Sequence, residues 1–302
     1  MSAARLDILG IGTLAVDDLL YVASYPPADS KTQVLRTARQ FGGLIGTGLA
    51  AAARLGARCG YGGVLGGDDL SRAVRAAMER LGIEMMRLID RHGAGPVHSV
   101  IVVDEAAGTR NIFFDLAPMQ GLGAADVTPD LIGSARVLFV DQFEMEGKLA
   151  ACHLARKIGV PVVADLEWTQ SPQLDEFLGL IDHAIVPRHF AAEVTGTADP
   201  REAVRSLHLR NPRALTAVTC GADGCWFMAG SSGEARHQAA RRVQVVETTG
   251  CGDVFHGAYA AALARGAAVE QRIEFATAAA AVYASRPSGW DYLPTRVECG
   301  TS

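Results

Sequence analysis

Residues 242–265 set a β-branched run, RVQVVETT, against a glycine-rich turn, Gly250-Cys251-Gly252-Asp253, and an alanine-rich stretch, VFHGAYAAALAR. That order predicts a strand handing over to a buried helix. The two glycines leave the backbone open to a ligand, and the first N–H groups of a helix have no acceptor within it. Together with the positive end of the helix dipole they form an anion site suited to a phosphate. Asp253 then has two readings. It is a helix N-cap, where Asp is favoured, or a base that takes the proton of a substrate hydroxyl while the backbone holds the charge of the group in transfer.

The rest of the chain narrows the class. In 302 residues, 49% hydrophobic and 20% charged content is that of a globular enzyme of one large α/β domain or two smaller ones. A net charge of −5, with basic residues scattered apart from Arg241-Arg242, argues against a nucleic-acid partner. No apolar run approaches the ~20 residues needed to cross a bilayer, and the N-terminus lacks the order of a signal peptide, so a cytoplasmic protein with no membrane partner is expected. Six cysteines between Cys59 and Cys299 offer neither a disulfide scaffold nor a C-x-x-C zinc pair.

Along the chain, residues 6–14 read as a strand containing Gly10-x-Gly12-x-x-Ala15, a match to the dinucleotide fingerprint. The fingerprint needs a helix straight after its glycines, and residues 16–22 alternate toward an extended segment instead. Residues 98–104 and 110–116 predict a β-hairpin, and residues 70–81 a helix capped by Asp68 and Asp69. From residue 137 onward strand and helix patterns alternate, which argues for a doubly wound, mostly parallel sheet. Ligands of such sheets bind beyond the carboxyl ends of the strands, where Asp141, Asp165 and the Gly250 turn would meet.

The stretch ETTGCGDVFHGAYAAAL resembles the carboxy-terminal signature of the ribokinase-like (PfkB) carbohydrate kinases, D-T-T-G-A-G-D, with Glu247 and Cys251 replacing Asp and Ala. The resemblance implies Asp253 as catalytic base and the backbone of Gly250, Cys251 and Gly252 as anion hole. A thiol at a helix start also admits an acidified, nucleophilic Cys251. Residues 41–56, FGGLIGTGLAAAARLG, are similar to the family's amino-terminal signature, implying that Gly42 and Gly43 bring bare backbone against a sugar. Thr47 stands where that signature has Asn. Asp17, with Asp18 as its neighbour, stands where the family has an Asp gripping sugar hydroxyls. Thr219, Gly221 and Gly224 match a turn beside the ATP phosphates, and the small-residue helix over 274–285 with the turn 286–289 matches a border to adenine.

The segment PRHFAAE, residues 187–193, departs from the family's Asn-Glu-x-x-Glu pattern and leaves Glu193 as the expected magnesium contact, with Asp165 and Glu167 as alternatives. Arg188 is either a phosphate ligand or a solvated residue at a helix start. The expectation is a single ribokinase-like domain, 1–302, whose lid of about 13–40 and 97–117 covers the acceptor. It would phosphorylate a sugar hydroxyl with ATP and Mg2+, and a homodimer could form through the lid. The rivals are an NAD-dependent oxidoreductase built on Gly10-x-Gly12 and a non-catalytic sugar or nucleotide sensor.

Overall fold

In the computed structural model, which describes residues 5–230 and 233–300, the chain moves between two sheets. β1 (Leu6–Ile11) starts one sheet, and β2 (Ala15–Val22) and β3 (Arg36–Gly42) start the other. Helix α1 (Leu44–Arg54), β4 (Cys59–Leu65), α2 (Asp69–Arg80) and β5 (Glu84–Asp90) return to the first; β6 (Val97–Asp104) and β7 (Thr109–Asp115) complete the second. After the short α3 (Pro129–Gly133), strands and helices alternate as β8 (Ala135–Asp141), α4 (Met145–Ile158), β9 (Val162–Asp165), α5 (Leu174–Leu180), β10 (His183–Pro187), α6 (Arg188–Thr195), α7 (Pro200–Arg210) and β11 (Leu215–Thr219). An antiparallel edge, β12 (Cys225–Ala229) and β13 (Arg236–Gln238), precedes α8 (Cys251–Ala264) and α9 (Val269–Ala284).

Among the described residues the large sheet has nine strands in the order β13-β12-β11-β10-β9-β8-β1-β4-β5, and the small one has four, β3-β2-β6-β7. Seven neighbouring strands of the large sheet, β11 to β5, run parallel; the six from β11 to β4 are buried and largely apolar, whereas β5 at the edge (EMMRLID) is mostly exposed or half-buried. Successive residues feed opposite cores. Ile8, Val137, Phe139, Val163 and Ile185 pack with α1, α2, α8 and α9, while Leu9, Leu138, Val140, Val162 and Ala184 pack with α4 to α7.

Three glycine contacts fix how the elements approach. A Cβ at Gly257 of α8 would come within 2.1 Å of the Gly48 carbonyl oxygen of α1, so these helices cross backbone to backbone. At Gly12 a Cβ would lie 2.4 Å from Asp141 Oδ2, and at Gly10 2.6 Å from Leu49 Cδ1. The Gly10-x-Gly12 pair therefore serves close packing of β1, α1 and Asp141. The chain passes from it into β2, and no helix follows, which removes the dinucleotide reading.

Other expectations shift. Residues 242–249 form no strand: they run as an exposed connection, with Val245 58% and Val246 59% exposed. β-branched residues favour extended backbone, but without a neighbouring strand to pair with they make an extended loop. β5 and β13 went unread because EMMRLID and RHQ carry no clear alternation. Asp68 does cap α2, its carboxylate accepting from the Ser71 N–H (2.9 Å). Among the described residues no helix is long and apolar enough to cross a membrane.

Candidate active site

The connection into α8 is shaped by Glu247. Its Oε1 accepts from the N–H groups of Thr248 (3.0 Å) and Thr249 (3.1 Å) and from the Thr249 hydroxyl (2.9 Å), folding the backbone into a tight turn. Gly250 follows as N-cap in the left-handed region, φ 81°, where a side chain would be strained. The Cys251 N–H turns back to the Thr248 carbonyl (3.2 Å), and the Val254 N–H bonds Gly250 (2.9 Å). Among the described residues the Gly252 N–H has no acceptor, so it is available at the helix start.

Asp253 is in the first turn and does not cap the helix; α8 has no side-chain cap. That removes the N-cap reading. A helix start by itself would lower the proton affinity of Asp253. Instead burial raises it well above the usual aspartate value, and the nearby Asp165 and Glu167 carboxylates push it further. The Cys251 thiol is pushed up to about 12 by burial, then by Asp253 and Glu247, which removes the nucleophile reading.

Asp141 and Asp165 are register partners at the carboxyl ends of β8 and β9, and both act on Asp253, as the sheet topology predicts. Asp141 is fully buried and accepts the N–H of Thr13 (2.6 Å) and of Phe143 (3.1 Å); the buried Lys148 pairs with it and with the Phe143 carbonyl. Burial and the charges of Glu167 and Asp141 raise the proton affinity of Asp165. His256, buried in α8, approaches the Gly252 carbonyl with Nδ1 (2.8 Å) and that of Ile185 with Nε2 (3.0 Å). Asp165 Oδ2 is 3.1 Å from the same Nδ1 yet has no hydrogen-bond partner among the described residues.

The small sheet contributes a second group. Asp17 and Asp18 of β2 point to opposite faces. Asp18 is tied up by Arg39 (2.7 and 2.9 Å) and His98 Nε2 (2.9 Å). Asp17, half-buried, is raised in proton affinity by burial, with a Ser99 hydrogen bond opposing, and its Oδ2 is 3.1 Å from where a Cβ at Gly42 would stand. Gly43, φ 88°, caps α1; a Cβ there would come 2.4 Å from the Thr13 carbonyl. The Thr47 hydroxyl is buried and accepts from Trp290 Nε1 (3.2 Å), while its methyl lies 3.7 Å from the Cβ position of Gly250. The start of α1 and the start of α8 are thus adjacent. Arg110 of β7 joins the small sheet to the same turn, donating to Glu247 (3.0 and 3.3 Å) and to Thr249 Oγ1 (2.6 Å).

On the far side of the turn a cleft of about 640 Å³ is lined by Thr219, Gly221 and Gly224, by Val243 and Val245, and by Gly252. Thr277, Ala280, Ala281 and Ala284 of α9 form its other wall. The exposure of Val243 and Val245 is thereby explained; Val246 does not line the cleft. Gly224 is required twice over: φ is 87°, and a Cβ would come 2.1 Å from the Gln238 carbonyl. Arg188 pairs with Asp223 in the 219–224 turn (2.8 Å). Arg286 pairs with Glu298 and is outside the cleft lining. Glu193 is exposed on α6, bonded by Thr169 and Gln170, and no interaction joins it to Asp253 among the described residues. Arg110, Trp290 and Lys148 belong to no local motif, and only the fold brings Arg110 to the turn, Trp290 to Thr47 and Lys148 to Asp141; His256 stands inside the signature stretch, but its contacts with Ile185 and Asp165 depend on the fold.

A glycine-rich helix start with a free N–H, a carboxylate in its first turn, a cleft on one side and a carboxylate-bearing sheet on the other are the arrangement that phosphoryl transfer to an alcohol requires. Residues 7–296 match the pfkB family carbohydrate kinase profile. The chain is 27% identical to the ribokinase of Haemophilus influenzae, over 85% of each chain, and 24% identical to the 5-dehydro-2-deoxygluconokinase of Bacillus subtilis, over 97% of this chain and 94% of that one. The ribokinase of Arabidopsis thaliana, solved with ribose and ATP, superimposes with a TM-score of 0.87 at 20% identity, covering 98% of both chains. The chain belongs to the PfkB family of carbohydrate kinases.

Proposed function

We propose that Asp253 is the base through which this carbohydrate kinase moves the terminal phosphoryl group of ATP to a sugar hydroxyl. The observation that carries the assignment is geometric: Asp253 stands in the first turn of α8, which starts straight after Gly250, and beside the unbonded Gly252 N–H, and its raised proton affinity agrees with that role. A base poised nearer the working pH accepts the hydroxyl proton, and the backbone of Gly250, Cys251 and Gly252 meets the charge of the moving group, with the Gly252 N–H free for it and the Cys251 N–H shared with the Thr248 carbonyl. Asp17, with the bare backbone of Gly42 and Gly43, holds the acceptor. Thr47 acts through its bond from Trp290, which fixes the wall between acceptor and turn. The cleft between Gly224 and Ala281 takes the nucleotide, with Thr219 and Gly221 at its phosphate end.

ATP is the phosphoryl donor and magnesium its companion cation. The carboxylates suit a cation: Glu167 raises the proton affinity of both Asp165 and Asp253, Asp165 raises that of Asp253, and Asp165 Oδ2 is a buried acceptor with no hydrogen-bond donor among the described residues. Magnesium takes phosphate oxygens, waters and one or two carboxylates and supplies charge neutralisation. Asp165 and Glu167 are favoured for it over Glu193, whose hydrogen bonds run to Thr169 and Gln170.

Residues 13–40 and 97–117 act as a lid on the single domain 1–302, excluding water that would compete as acceptor, with Arg110 as its contact to the anion turn. A second copy would dock along the outer strand of that lid, where Ile112, Phe113 and Phe114 are each about half exposed (48%, 54% and 56%) on an unpaired edge. Six free cysteines agree with the reducing cytoplasm.

The test is a thermal-shift screen of sugars, starting with ribose and 5-dehydro-2-deoxygluconate, followed by phosphoryl transfer against magnesium concentration with an EDTA control. Transfer that needs magnesium and is lost in Asp253→Asn supports the assignment. ATP binding with no transfer to any stabilising sugar would mark a sensor that kept the fold.

A further inference from the structure

A second cavity, of about 300 Å³, opens at the far end of α8, about 20 Å along the helix from Asp253. Three arginines from separate parts of the chain line it: Arg265 from the end of α8, Arg241 from the connection after β13, and Arg296 from the carboxy-terminal segment. Phe275 forms an apolar wall, and Gln271 and Glu274 of α9 supply polar groups. Ten other arginines form ion pairs with acidic residues, yet Arg241 and Arg265 make none among the described residues. Neither side chain is idle. Arg241 donates to the Cys299 carbonyl (3.2 Å), and the Arg265 guanidinium is 5.3 Å from the Phe275 ring centre, so both are held at the cavity. Burial, and then the charge of Arg296, hold Arg265 below the usual arginine range, with Asp7 opposing.

The three arginines are exposed at the mouth of this depression, where their combined positive charge draws anions from solvent, and the guanidinium fork matches phosphate oxygens. The Glu274 carboxylate disfavours a bare polyanion but accepts hydroxyl protons, as does the Gln271 amide oxygen. We propose that this cavity is a second anion site that binds a small hydroxylated phosphate ester, its phosphoryl group held by Arg241, Arg265 and Arg296 and its hydroxyls by Gln271 and Glu274. Arg241 also lines the nucleotide cleft. An occupant that draws this side chain inward alters the cleft wall, a coupling that rests on the nucleotide reading of that cleft.

Ribose 5-phosphate is the probe, titrated by calorimetry into enzyme saturated with magnesium and a non-hydrolysable ATP analogue. Binding at one site per chain is expected, retained in Asp17→Ala and weakened roughly tenfold or more in Arg265→Ala and in Arg296→Gln, while both arginine variants melt like the parent without ligand. In turnover assays the probe shifts KM for ATP in the parent and leaves it unmoved in Arg265→Ala, whose basal kcat is unchanged. Affinity unaltered in both arginine variants, or binding lost only in Asp17→Ala, overturns the site. Because the titration involves no turnover, it stands or falls independently of whether any sugar is phosphorylated.

Discussion

At the scale of single residues, the proposed chemistry rests on one carboxylate, Asp253, whose surroundings run against its position on the helix. Asp253→Asn is expected to leave ATP affinity near that of the parent, because the backbone donors stay, while kcat falls by roughly 10²-fold or more; equilibrium binding beside steady-state rates checks both halves. The pH profile follows from sign. A base must be deprotonated, so activity is lost as pH falls through its raised pKa, and the acid limb of kcat/KM stands above the ordinary aspartate range. Glu167→Gln removes one of the charges that raises it, so that limb moves to lower pH. Asp17→Ala should weaken sugar binding by roughly 1.5–3 kcal/mol with ATP binding little changed, measured by calorimetry for each ligand. Asp253, Gly250 and Gly43 were legible because turn chemistry is local: a glycine at positive φ and an Asp at a helix start each show in a few consecutive letters. The proton affinity of Asp253 was not, since it is set first by burial and then by Asp165 and Glu167, far away in sequence.

Among elements, the alternation from β8 onward and the β6–β7 hairpin could be read directly, because a buried parallel strand and a hairpin each impose a pattern on their own residues. The connection 242–249 shows the limit of that reading. Its valines carry the local signature of a strand, but pairing depends on whether another strand lies alongside, and Val243 and Val245 line a cleft instead. Arg110 is the element-scale counterpart: it reads as a surface residue of a hairpin, and only the fold shows β7 reaching the turn that starts α8. Arg110→Ala should raise KM for the acceptor several-fold with little loss of melting temperature, since exposed ion pairs add little stability. The effect should shrink as salt is added, which a comparison of low and high ionic strength checks.

For the molecule as a whole, the short passage between the two sheets is pinned by the buried Asp141, which holds the Thr13 N–H on one side and Lys148 on the other. Lys148→Met would strand that carboxylate without its partner and should cost about 3–5 kcal/mol in chemical denaturation, whereas replacing both members of the pair with apolar residues should cost less. The backbone crossing of α1 and α8 at Gly48 and Gly257 has a further meaning for anyone who would retarget this scaffold. The glycines that open α1 and the aspartate that opens α8 belong to one welded block whose spacing tolerates no added methyl. The small sheet is a detachable face on that block. Libraries aimed at a new acceptor should therefore diversify β2, β6 and β7 and leave the weld alone, because a library that touched it would recover misfolded clones rather than altered preferences.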